Sequence, residues 1–219
     1  MIEIKAVIFD FDGTLADTLP VCFEAFETVF KNFDNRVVTT EEIKAMFGPS
    51  ETGIIRENLK NSKLDQAIEL YYQVYKERHD LVQNNEEISA LLGQLKTNGY
   101  QLGIVTGKAR RSLDISLDCL GLNNIFDVII TGDDVEFPKP HPEGIIKALD
   151  VLNVSHNEAV FLGDSDADIM AGNQAGVHTI GVHWLPNYQT SEFTLQPNQV
   201  FSNINDLLPS LLETKVKSV

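Results

Sequence analysis

A chain of 219 residues with 43% hydrophobic and 22% charged residues can bury one full α/β domain plus a smaller insert, which excludes a disordered chain. Its formal net charge of -15 and sequence pI near 4.6 exclude the basic face that nucleic acid or an anionic membrane would need. An anionic substrate would have to meet a site made locally positive by a metal ion and a few placed cations.

Met1-Ile2-Glu3-Ile4-Lys5 runs straight into an apolar segment with no basic leader, so no signal peptide is expected. No apolar run approaches membrane-spanning length, and a cytoplasmic location is expected. Ile4 to Phe9 is short, Val/Ile-rich and nearly all apolar, the pattern of a central parallel strand buried on both faces.

From about Leu19 the pattern turns helical. Cys22, Phe23, Phe26, Val29, Phe30 and Phe33 fit one helix face, and Leu64, Ala67, Ile68, Tyr71, Tyr72 and Tyr75 fit another. Ile54, Ile55 and Leu59 suggest a third, shorter helix between them. Phe47-Gly48-Pro49-Ser50-Glu51 reads as a loop between insert helices that could face the site, the tyrosines as packing residues, and Arg56 as a candidate contact to the site.

The strand–helix alternation then resumes. Ile88, Leu91, Leu92 and Leu95 mark a helix, Leu102 to Val105 a strand, and Leu113, Leu117 and Leu120 a helix. Val128 to Ile130 is a third strand. Pro142 sits where a helix can begin, because its missing N–H is not needed there. Val160 to Leu162 is a fourth strand, Ile169 to Ala175 a helix, and Val177 to Val182 a candidate fifth strand. Residues 215–219 read as a frayed tail. The predicted architecture is α/β, a parallel sheet with helices on both faces, built from residues 1–18 and 84–219, with an all-helical insert over 19–83. Cys22 and Cys119 lack metal-ligand spacing and are expected as reduced, buried thiols.

The chemistry sits at strand ends. Phe9-Asp10-Phe11-Asp12-Gly13-Thr14 follows the first strand, and residues two apart on an extended chain point the same way. Asp10 and Asp12 should therefore project together at the carboxyl edge, where open parallel sheets keep their ligand sites. An Asp-Gly hairpin is the competing reading, but a helical stretch rather than an alternating strand follows Gly13. Paired carboxylates suit Mg²⁺, a carboxylate nucleophile, and a carboxyl that gives and takes protons. Gly163-Asp164-Ser165-Asp166-Ala167-Asp168 repeats the arrangement after the fourth strand. Asp164 is the natural third carboxylate, and Asp168 is placed to orient a water or a lysine. A calcium loop fails here, since Ile169 and Ala175 stand where Gly and Glu are required. Asp166 reads as a helix cap.

Thr106-Gly107-Lys108 ends the second strand. A P-loop fails, because Leu102 and Ala109 stand where Gly and Ser or Thr are needed. A Thr106 hydroxyl and free backbone N–H groups are left for a phosphate oxygen. In Phe137-Pro138-Lys139-Pro140-His141-Pro142 the prolines stiffen a loop that presents one lysine, read as a phosphate ligand. His141 reads as structural.

Asp10-Phe11-Asp12-Gly13-Thr14, Thr106-Gly107, Lys139-Pro140 and Gly163-Asp164 through Asp168 together resemble the ordered motifs of the haloacid dehalogenase-like superfamily. The likeness covers essentially the whole chain, its nearest members being phosphoglycolate phosphatase-like and pyrophosphatase-like. The resemblance implies a Rossmann-like core with a mobile helical cap over 19–83. It implies Asp10 as nucleophile and Asp12 as general acid and base, with its backbone carbonyl on Mg²⁺. It implies Thr106, Gly107 and Lys139 around the phosphoryl group, Asp10, Asp12 and Asp164 at the metal, and Thr14 and Asp168 in support. The implied reaction is Mg²⁺-dependent hydrolysis of a small phosphorylated metabolite through an aspartyl-phosphate. An acid at Asp12 favours phosphate esters or anhydrides over dehalogenation. Gly107 stands where relatives often carry Asn, which leaves a backbone contact only. A phosphomutase of the same superfamily and a non-catalytic binding module are the alternative readings.

Overall fold

The structure, a computed structural model, describes residues 3–82 and 84–216. Met1 and Ile2 of the expected leaderless start, residue 83 at the expected end of the insert, and 217–219 of the expected tail lie outside the described residues.

Six parallel strands form one sheet in the order β3-β2-β1-β4-β5-β6. They are β1 (Ala6–Phe9), β2 (Gln101–Val105), β3 (Val128–Ile130), β4 (Ala159–Gly163), β5 (His178–Val182) and β6 (Gln199–Phe201). The first five occupy the predicted runs; β6 is additional to them. Side chains alternate across β1. Ala6 and Ile8 join Phe161, Ile145 and Ala148 on the face covered by α7 (Glu143–Leu152) and α8 (Asp166–Ala175). Val7 and Phe9 join Leu102, Ile104 and Leu162 on the other, with α5 (Glu86–Thr97), α6 (Arg110–Leu120) and α9 (Leu207–Val216). Burial on both faces is why β1 and β4 carry almost no polar residue until they end. Helix α9 runs two residues into the expected tail.

Between β1 and α5 the described chain forms helices only. These are α1 (Leu19–Asp34), α2 (Thr40–Ala45), α3 (Glu51–Asn58), α4 (Leu64–Glu77) and a short 3₁₀ turn at His79–Leu81. Helix α2 is additional to the three predicted; a capping box between Thr39 and Glu42 starts it. Helices α1 and α4 pack through aromatic rings, with Phe26 and Tyr71 centroids 4.7 Å apart. That apolar interior is continuous with the Val7/Phe9 face of the sheet. Among the described residues no helix is long and apolar enough to cross a membrane. Cys22 is buried as expected, but Cys119 is exposed, because it falls on the solvent side of α6.

Candidate active site

The chain leaves β1 and crosses to β2 on one side, then returns to β4 on the other. The carboxyl ends of β1 and β4 therefore border a crevice, the usual ligand position in such sheets. Phe9 pairs with Leu162 in register, and Asp10 N–H donates to the Leu162 carbonyl at 2.8 Å. Asp10 and Asp164 thus emerge side by side.

Oxygens of Asp10, Asp164 and Asp168 all lie within 4.8 Å of one another, and all three residues are buried. Burial raises the Asp10 carboxyl to about 6, with Asp168 and Asp12 adding to the rise and Lys139 opposing it. Asp164 is raised well above the ordinary carboxylate value by burial and then by Asp168 and Asp10. Lys139 Nζ bridges the group, 2.8 Å from Asp10 Oδ1 and 2.5 Å from Asp168 Oδ1. Burial alone would lower the lysine, but these two carboxylates outweigh it and hold its pKa above normal.

Asp168 is already engaged on both oxygens. Oδ1 meets Lys139, and Oδ2 accepts from Ser165 N–H at 3.0 Å and the Ser165 hydroxyl at 2.6 Å. Asp10 shares Lys139, and Asp164 meets the neutral N–H donors of Gln189 rather than a close cation, so these two keep the charge to offer. Hard oxygen donors with poorly compensated negative charge fit Mg²⁺.

The expectation that Asp10 and Asp12 project together holds in that both line one cavity, but Asp12 does not join the three-acid cluster. The extended chain ends at Phe9, and the Phe11 carbonyl accepts from the N–H groups of Leu15 at 2.9 Å and Ala16 at 3.1 Å. This turn carries the Asp12 carboxylate out of the three-acid cluster. It accepts from the Thr18 hydroxyl and from Lys108 Nζ, 3.0 Å from Oδ1 and 3.3 Å from Oδ2. Asp10 and Asp12 still line one cavity of about 170 Å³, together with Thr106, Gly107 and Lys139. Its other wall is apolar, with Leu19, Phe26, Phe47 and Ile54 from the helical insert.

Thr106 is buried, and its hydroxyl accepts from Lys108 N–H at 3.2 Å; Ala109, not Thr106, caps α6. Gly13 has φ +80°, and a Cβ there would stand 2.2 Å from Asp164 Oδ2, so this glycine lets the two loops touch. Thr14 is buried, and its carbonyl accepts from Trp184 Nε1 at 2.8 Å. Asp166 does not cap α8; Ser165 does, while Asp166 accepts from Thr194 N–H and hydroxyl, each at 2.8 Å. His141 is structural, packed against Phe137 and accepting from Glu143 N–H. Arg56 faces solvent beside Asp65, away from the cavity lining.

Four residues of the site escape sequence reasoning. Lys108 enters it only as a P-loop lysine, and Glu51 only as part of a loop. Gln189 lines the cavity and donates its N–H to Asp164 Oδ2 at 2.6 Å, from the long β5–β6 connection that carries no motif. Trp184, in that same connection, pins the Thr14 turn.

A family model described as haloacid dehalogenase-like hydrolase matches residues 7–182. The pyrophosphatase PpaX of Bacillus mycoides (strain KBAB4) is 35% identical over 210 residues, covering 95% of this chain and 97% of that protein. Among solved structures, a putative phosphoglycolate phosphatase from Lactobacillus plantarum superposes with TM-score 0.77 at 25% identity, covering 95% of this chain and 99% of that one. CbbY from Rhodobacter sphaeroides in complex with phosphate superposes with TM-score 0.81 at 24% identity, covering 93% and 96%, and shows the shared fold.

Proposed function

The chain belongs to the haloacid dehalogenase-like hydrolases and is a phosphatase of that family, and from this premise we propose that it hydrolyses a small phosphate monoester or anhydride through an aspartyl-phosphate on Asp10. The observation that carries the reading is the placement of Asp10. Its carboxylate is buried at the end of β1, faces the cavity, and has Lys139 at 2.8 Å and Asp164 alongside. Phosphoryl transfer asks chiefly for positioning and charge neutralisation.

Asp10 and Asp164, with the backbone carbonyl of Asp12, would hold Mg²⁺, which when bound supplies positive charge to the phosphoryl oxygens. The chain's own groups do the rest. Asp10 attacks phosphorus. Lys139 keeps Asp10 ionised at neutral pH and offers its remaining hydrogen to a phosphoryl oxygen. Thr106 and the N–H groups after β2 hold the other oxygens, with Gly107 contributing backbone alone. Asp12 gives a proton to the departing oxygen and later takes one from the water that cleaves the acyl phosphate. Leu19, Phe26, Phe47 and Ile54 exclude bulk water from the reacting centre. Thr14 and Asp168 hold the turn and the lysine. The cap role of residues 19–83 belongs to the same proposal.

Pyrophosphate and phosphoglycolate, named by the relatives, are the first substrates to try. The test is phosphate release with Mg²⁺ from these and from p-nitrophenyl phosphate. Asp10→Asn should abolish release while leaving the circular dichroism spectrum unchanged. Near-normal turnover in that variant removes Asp10 as nucleophile.

A further inference from the structure

We propose that Lys108 is a positioning residue that fixes the Asp12 carboxylate and ties it to the helical insert through Glu51. The proposal rests on the reading of Asp12 as the acid and base.

The Lys108 side chain is fully buried, and an ammonium group taken out of water loses hydration that only close, well-placed partners can replace. Its partners are specific. Nζ lies 3.0 Å from Asp12 Oδ1, 3.4 Å from Glu51 Oε1, 3.6 Å from Cys22 Sγ and 4.4 Å from the centre of the Tyr75 ring. Burial acts to lower its pKa, but Asp12 leads the groups that hold it well above normal, so the charge stays.

Glu51 is equally committed. It is buried at the start of α3, and its Oε2 accepts from Ala109 N–H at 2.5 Å while Oε1 accepts from the Ser112 hydroxyl at 2.5 Å. One carboxylate of the insert thus caps α6 of the core and touches the lysine beside Asp12. Thr18 also donates to Asp12 Oδ1. The Asp12 carboxylate is therefore gripped by a hydroxyl at the base of α1 and by an ammonium that Glu51, Cys22 and Tyr75 of the insert surround. A surface salt bridge needs no such burial.

In the step concerned, Asp10 forms a bond to phosphorus as the bond to the leaving oxygen breaks. That oxygen keeps the electron pair and takes the proton of the Asp12 carboxyl. Lys108 moves no proton; it holds the donor in line. Its removal should matter in proportion to how much the leaving oxygen needs that proton.

The test compares kcat/KM, which reports the transfer onto Asp10, for glycerol 2-phosphate and for p-nitrophenyl phosphate. An alkoxide leaves poorly without a proton; nitrophenolate does not need one. General acid catalysis is worth about 10²–10⁴-fold. Lys108→Met is therefore expected to lower kcat/KM for the alkyl ester at least about tenfold more than for the nitrophenyl ester, and Lys108→Arg to recover part of that difference. In an Asp12→Asn background the same Lys108→Met change should cost less than about twofold on the alkyl ester, because coupled residues are non-additive. Equal losses on both esters, or a loss that persists without Asp12, would overturn the proposal. So would a rise in KM confined to phosphoglycolate, which would make Lys108 a ligand for the substrate's second anion. Should Lys108→Met not fold, Glu51→Gln decides the question on the same two esters: a larger alkyl loss supports it and equal losses overturn it. Failure of the phosphatase reading looks different, as undiminished activity in Asp10→Asn.

Discussion

Without metal, lowering the pH from 7.5 to 5 should stabilise this protein through Asp10, although acid usually weakens a chain rich in carboxylates. The ordinary carboxylate value is 3.8, and burial raises Asp10 to about 6 in the folded state. A carboxyl raised on folding contributes stability that is fully present below 3.8 and lost as pH rises through about 6. At pH 5 the folded group is mostly protonated and the unfolded one mostly ionised, a gain of about 1 kcal/mol over pH 7.5. For a chain of 219 residues that corresponds to about 2–4 °C in Tm. Asp164 is raised in the same direction by burial and its acidic neighbours. His79, which is buried, and His178, at the exposed start of β5, act oppositely, since desolvation lowers both and the unfolded chain takes up their protons first as pH falls. The Asp10 share is therefore read as a difference. Melting curves in EDTA at the two pH values are recorded for wild type and Asp10→Asn, and wild type should gain more on acidification. Asp10→Asn should also be the more stable of the two at pH 7.5. Saturating Mg²⁺ should erase the difference by keeping the carboxylate ionised. Parallel shifts of the two proteins in EDTA would refute the account of an uncompensated buried acid.

Other changes probe the same geometry. Gly13→Ala places an alanine at φ +80°, costing about 1–2 kcal/mol. Its Cβ would also drive Asp164 aside, so the Mg²⁺ concentration for half-maximal activity should rise at least about tenfold; an unchanged titration would count against Asp164 as a ligand. Lys139→Met leaves Asp10 and Asp168 facing each other without a cation, and urea unfolding without metal at neutral pH should show a loss of about 3–5 kcal/mol alongside loss of turnover. Trp184→Phe keeps the ring but removes the donor to the Thr14 carbonyl. Urea unfolding should then show a loss of about 1 kcal/mol, and a change near zero would mean that water replaces the bond.

Strand ends are legible because both faces of β1, β2, β3 and β4 are buried, so each polar residue that ends an apolar run is conspicuous. Asp10, Thr106 and Asp164 stand out that way, and Lys139 through the prolines around it. Strand β6 escapes because it is a three-residue edge with Val200 half exposed, paired on one side with β5. Helix α2 leaves a capping box and little apolar periodicity in six residues. The Asp12 orientation is hidden for a different reason. A two-residue spacing fixes direction only while the backbone stays extended, and three N–H groups converging on the Phe11 carbonyl end that condition one residue too soon. Lys108, Glu51 and Gln189 carry meaning only through partners 96, 58 and 25 positions away, which no local pattern encodes.

The charge balance of the site explains why so acidic a chain can serve an anion. Five carboxylates, Asp10, Asp12, Glu51, Asp164 and Asp168, gather around two lysines, Lys108 buried and Lys139 partly so. Each lysine is shared between two acids, so Lys139 can offer a phosphate one hydrogen bond but little charge that is not already matched. Under the proposed function, a divalent cation at Asp10 and Asp164 would add positive charge for the phosphoryl oxygens and would favour the ionised state of those two acids, which burial resists. On that proposed reading, the raised Asp10 and Asp164 fit a site whose own lysines are already paired, Lys139 with Asp10 and Asp168 and Lys108 with Asp12 and Glu51.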